Sequence, residues 1–233
     1  MKIPVGCMQC TIEGSEITKC PTIDNINEQD YYVVTCEHGH KSYYYCTNEK
    51  FDLLFSMAIQ ALCDQYYREA VLNFASAIER FYEFSLALMS RVLNVPSEDF
   101  DTFYKSVSRH SERELGAYTA LYLAILKKPA KILSDSKRAF RNEIVHKGKS
   151  PTRDETIRYG EAVYNLIYDD YNFFKKNYPK QIMELNLETQ RKTITLSGVK
   201  MLLLDYMSFI KDEKFTSIDE MIKTQEKTNS IFL

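Results

Sequence analysis

The chain has 233 residues, 45% of them apolar, and a formal net charge of -2. That supplies one substantial core plus a small appendage, and it excludes recognition of nucleic acid through a global positive field; any such site must be a local basic patch. Gly and Pro are scarce (7 and 6) while Tyr and Phe are abundant (17 and 13), so the predicted class is mainly α, an up-and-down helical bundle with a small N-terminal β-ribbon. The first residues lack the apolar stretch of a secretory signal, and no apolar run reaches the ~18 residues of a membrane span. The expectation is a cytoplasmic protein with no membrane partner.

Residues 1–48 form the first predicted domain. Five of the six cysteines, Cys7, Cys10, Cys20, Cys36 and Cys46, lie here with His38 and His40. The runs YYVVTC and KSYYYC are rich in β-formers, and the EHGH between them supplies a turn, so they predict a hairpin with metal ligands at its tip. Cys7-x2-Cys10 has the spacing of a zinc knuckle, and Cys36-x3-His40 offers a second half. Cys36-x-His38 competes for that half, and Cys20 and Cys46 are further candidates. So short a segment needs a staple to fold, which predicts a structural zinc. The tyrosine row can stack bases, although cross-strand packing is its commoner use.

From Phe51 the apolar period becomes helical. One helix runs through Phe51, Leu54, Phe55, Ala58, Ile59 and Leu62. A longer one carries Ala70, Val71, Phe74, Ala75, Ile78, Phe81, Tyr82, Leu86 and Met89. Ser97 reads as a cap, SERE at 111–114 as a capping box, and Pro129 as the first turn of a helix ending at Gly148. A further long amphipathic helix follows from Thr152. Residues 51–178 thus predict the bundle, and 180–233 a C-terminal extension of two or three weaker helices, the most apolar being GVKMLLLDYMSFI.

The stretch RNEIVHKGKSP, residues 141–151, carries the chemistry. At about 100° per residue, Arg138, Asn142 and His146 fall within about 140° of Arg141, forming a polar wedge at a helix end. Arginine presents planar donors to phosphate oxygens, histidine exchanges protons near neutral pH, and asparagine orients either partner. No carboxylate cluster of metal-binding type accompanies them, which favours metal-independent transesterification of RNA by its own 2′-OH. Such a reaction needs a base and an acid, and one wedge holds one histidine. A homodimer would bring two to a composite interface site.

RNEIVH fits an Arg-x(4–6)-His motif in its Arg-Asn-x-x-x-His form, and EAVLNFASAIERFYEF is similar to an earlier long helix that carries an acidic residue. Over 51–178 the chain therefore resembles the HEPN superfamily, named for nucleotide-binding domains of higher eukaryotes and prokaryotes. The resemblance implies a dimeric bundle and an endoribonuclease with Arg141, Asn142 and His146 at its site, and Glu79 as a supporting residue that orients Arg141. It also implies the setting of a toxin or anti-phage defence effector, with an inhibitory or regulatory protein partner. The alternative is a non-catalytic module of the same fold that binds a nucleotide or a protein within a larger complex.

Overall fold

The computed structural model describes residues 3–16, 22–23, 31–197, 202–204, 208–210 and 214–231. In chain order these form β1 (Ile3–Pro4), α1 (Met8–Glu13), β2 (Thr22–Ile23), β3 (Tyr31–Thr35), β4 (Lys41–Cys46), α2 (Lys50–Cys63), α3 (Tyr67–Val92), α4 (Ser97–Val107) and α5 (Ser111–Leu126). After them come α6 (Asp135–Lys147), α7 (Arg153–Asn177), α8 (Pro179–Ser197), β5 (Leu202–Leu204) and α9 (Ile218–Ile231). The protein is mainly helical. It divides into two compact units, one of residues 1–48, 186–207 and 231–233, the other of 49–185 and 208–230. Among the described residues no helix is long and apolar enough to cross a membrane.

In the first unit β3 and β4 pair antiparallel from Tyr31 opposite Tyr45 to Thr35 opposite Lys41. The turn closes through Cys36 and His40, with Gly39 at φ 84°, a conformation that Cβ disfavours. Tyr32, Tyr44 and Tyr45 are buried, and the Tyr44 hydroxyl donates to the Gly6 carbonyl. These rings pack the hairpin. The apolar stretch GVKMLLLDYMSFI is not a helix where it is described: Leu202–Leu204 is a strand, paired parallel with Tyr44–Cys46. Three leucines suit either state, and an open β4 edge decides between them.

In the second unit α3 packs on α2, α5, α6 and α7. Phe51, Phe55, Phe74, Phe81 and Phe174 are almost wholly buried, each contributing about 1.5–3 kcal/mol of apolar burial. Phe55 meets Phe74 with ring centroids 5.0 Å apart. Gly160 lets α7 approach α3, since a Cβ there would lie 2.6 Å from the Phe74 ring. The buried Asp170 carboxylate accepts from the Tyr118 and Tyr122 hydroxyls at 2.8 and 2.9 Å, so the polar groups where α5 meets α7 satisfy one another.

Three predicted helix starts move. The N-cap positions of α4 and α5 are Pro96 and His110, without side-chain caps, so Ser97 and Ser111 are already helical. The capping box forms instead at Thr152 and Glu155, at the head of α7. Pro129 does not open a helix. Lys127 ends α5 in the left-handed region, Leu133 is buried, and α6 begins only after Ser134. Proline tolerates a first turn without nucleating one, whereas Ser134 and Asp135 supply a cap position and an acidic first turn.

Candidate functional site

The first unit gathers four metal-type donors. Cys7 precedes α1, Cys10 lies within it, and Gly14 ends it in the left-handed region. The β3–β4 turn supplies Cys36 and His40. The donor atoms of Cys7, Cys10, Cys36 and His40 all lie within 4.8 Å of one another. Cys10 Sγ is 3.7 Å from Cys36 Sγ and 3.3 Å from His40 Nδ1, and Cys7 Sγ is 3.9 Å from His40 Nδ1. Ligands of a tetrahedral ion with bonds of ~2.3 Å to sulfur and ~2.0 Å to nitrogen lie roughly 3.5–3.8 Å apart, so the set fits such an ion. His40 also turns Nε2 towards Glu13 Oε2 at 3.6 Å, as a metal-bound imidazole commonly faces a carboxylate.

The rival ligands are placed differently. His38 Nδ1 lies 3.4 Å from Cys10 Sγ but falls outside the four-donor set. Cys46 Sγ faces Asn48 Oδ1 at 3.6 Å. Cys20 lies outside the described residues. Without a cation the thiols diverge: a backbone amide lowers Cys7 to about 6, while burial beside the other sulfurs raises Cys10 to about 12. A bound dication would supply the charge that lets several thiolates coexist.

The second unit places the predicted polar wedge at the edge of a cavity of about 180 Å³ between α3, α5, α6 and α7. Arg141 Nη2 donates to Glu79 Oε1 at 2.8 Å, and its Nη1 to Asn142 Oδ1 at 3.1 Å. Arg141 is therefore not directed freely to solvent. It is held in an ion pair across α3 and α6, with 24% of its side chain and 28% of Glu79's exposed. Arg138 lines the same cavity and pairs with Asp135 one turn back. The walls include Ala75, Ile78, Leu115 and Leu133.

His146 stands apart from this group. It is exposed in the last turn of α6, ahead of Gly148 in the left-handed region, and it does not line the cavity. Among the described residues it has no hydrogen-bond or ion-pair partner, which leaves the imidazole open to a substrate or a second molecule. One helix thus presents a clamped guanidinium and amide on one turn and, on the next, an exposed imidazole with no partner among the described residues.

Tyr82 and Tyr159 also line the cavity. Tyr82 reads in the sequence as one more apolar core position, and Tyr159 carries no motif. The available signal is the choice of tyrosine over phenylalanine on a buried helix face, because a buried phenol needs a partner. Burial holds both phenols protonated, well above their ordinary range. Comparison of the chain with protein-family models, with curated proteins and with solved structures gives no significant match to any of them.

Proposed function

We propose that the helical unit is a HEPN-like endoribonuclease that cleaves RNA by 2′-OH transesterification without a catalytic metal. The observation that supports this most is the Glu79–Arg141–Asn142 chain at the cavity edge, one turn from a His146 that has no partner among the described residues. Arg141, oriented by Glu79, stabilises charge on the phosphorane-like transition state, and Asn142 positions the phosphate. His146 of one copy takes the proton from the 2′-OH as that oxygen attacks phosphorus. As the bond from phosphorus to the 5′-oxygen breaks, His146 of a second copy gives the leaving oxygen its proton. The products are a 2′,3′-cyclic phosphate and a 5′-OH. The reaction therefore calls for a homodimer with two α6 ends facing one phosphodiester. A cell would have to restrain such an activity, which fits a toxin or defence effector held by an inhibitory partner.

The four-donor cluster supports a zinc ion with a structural role, since three thiolates and an imidazole leave a tetrahedral ion no open position. Such an ion would tie α1 to the β3–β4 turn and so staple this unit.

The position of His146 outside the cavity favours a second reading, in which the cavity holds the base of a nucleotide and no bond is cut. Incubation of the purified chain with single-stranded RNA separates the two. Under the first reading His146→Ala lowers cleavage by at least ~100-fold, the usual contribution of general acid–base catalysis, and replacing the 2′-OH at the cut site by hydrogen blocks it. Cleavage by His146→Ala at the wild-type rate would exclude the mechanism.

A further inference from the structure

Two buried tyrosines of the second unit have no hydrogen-bond partner for their hydroxyls among the described residues. Tyr82 is 8% exposed and Tyr159 only 1%. Among the described residues neither phenol oxygen makes a hydrogen bond, and both side chains line the cavity beside Arg141. The other deeply buried tyrosines of this unit do not share that condition. Tyr118 and Tyr122 donate to Asp170, Tyr171 to Glu49, and Tyr164 accepts from the Phe215 amide. A fold that satisfies four buried phenols and leaves two facing one cavity has kept hydrogen-bonding capacity there for a ligand.

The remaining lining restricts what that ligand can be. Ala75, Ile78, Leu115 and Leu133 offer apolar surface, which suits the faces of a flat ring. About 180 Å³ is below the ~300 Å³ at which pockets for drug-sized ligands begin, so one ring system fits and a whole nucleotide does not. The guanidiniums of Arg138 and Arg141 suit a phosphate that stays at the edge. Glu112 lines the cavity too, and a carboxylate only accepts hydrogen bonds.

We infer that this cavity is a nucleobase pocket that takes the unpaired base beside the scissile phosphate, an inference that rests on the ribonuclease reading. The apolar walls cover the ring, and the Tyr82 and Tyr159 hydroxyls bond its edge. The Glu112 carboxylate selects a base with an exocyclic amino group: adenine, cytosine or guanine. Uracil, whose single ring N–H lies between two carbonyls, is disfavoured.

The test uses the full chain in two arms. In the first, calorimetry measures binding of adenosine, cytidine, guanosine and uridine 3′-monophosphates. In the second, cleavage sites are mapped on an RNA pool containing every local context. Expected are a preference of about tenfold against uracil in both arms, the worth of one good hydrogen bond to a charged acceptor, its loss in Glu112→Gln, and weaker binding of every base in Tyr82→Phe and Tyr159→Phe. The phenylalanine changes remove only the hydroxyls, and circular dichroism checks that the helices survive. Equal use of all four bases, a preference unchanged in Glu112→Gln, or wild-type affinity in both phenylalanine variants overturns the pocket while cleavage itself leaves the ribonuclease reading standing. If no RNA is cut but the mononucleotide preference appears and is lost in Glu112→Gln, the pocket stands with a free nucleotide as ligand, and the ribonuclease reading falls.

Discussion

Glu79 on α3 holds Arg141 on α6 at 2.8 Å, and the same guanidinium reaches Asn142 at 3.1 Å. The pair is about one quarter exposed, so its contribution to stability is small, ~1 kcal/mol or less. Its larger effect is to fix the fork of donors that a phosphate would meet. Glu79→Gln should therefore leave the unfolding transition almost unchanged and slow single-turnover RNA cleavage by about tenfold. Arg141→Lys keeps the charge but loses the planar fork, and should slow it by about 100-fold. Two variants that cleave like the wild type would remove Arg141 from the site.

The four donors in the first unit predict about one zinc per chain by elemental analysis of protein purified without added metal. Cys10→Ser should lose that zinc, because Cys10 touches both Cys36 and His40. Its hairpin amides should exchange faster, since a structural ion contributes folding energy directly. His38→Ala should retain the metal. Retention by Cys10→Ser with loss in His38→Ala would reassign the ligands.

Asp170 sets a pH dependence. Burial raises its carboxyl above the usual range, opposed in part by the Tyr118 and Tyr122 hydroxyls. The folded chain then holds this proton more tightly than the unfolded chain. The stability that proton brings is complete below the unfolded value of about 3.9 and is lost as pH rises through the folded one. Thermal unfolding of Asp170→Asn should lack this decline, whereas Asp170→Ala should lose about 2–4 kcal/mol at every pH by orphaning two buried phenols. An identical pH profile in wild type and Asp170→Asn would count against the assignment.

Gly160 marks a close approach of α7 to α3. A methyl there would meet Phe74 Cε2 at 2.6 Å and Cζ at 2.7 Å, and Phe74 is fully buried against Phe55. Although alanine is the better helix former, Gly160→Ala should destabilise by about 1–3 kcal/mol in chemical denaturation. Combining it with Phe74→Leu should recover part of that loss, and strict additivity would show that the two positions do not meet.

Much of the helical unit is legible in the sequence because its signals are local. The faces of α2 and α3 follow the 3.6-residue period, and Gly148 stops α6 where a left-handed residue is required. The hairpin is equally plain from two runs of β-forming residues about a glycine turn. Less legible is whatever depends on distant partners. Leu202–Leu204 becomes a strand only because β4 offers an edge about 160 residues earlier. Pro129 misleads because the burial of Leu133 is a tertiary event. Spacing places Arg141, Asn142 and His146 on one helix, but the cavity behind Arg141 exists only once α3, α5 and α7 close around Tyr82 and Tyr159.

The parallel pairing of β5 with β4 has a consequence for synthesis. On a translating ribosome, β3 and β4 emerge long before Leu202, so the flank of β4 that β5 will cover must wait with its amides unmatched while the helices between them are made. A nascent chain halted inside that interval would expose a template for adhesion to other strands, and that interval is where a co-translational chaperone would find this protein most vulnerable.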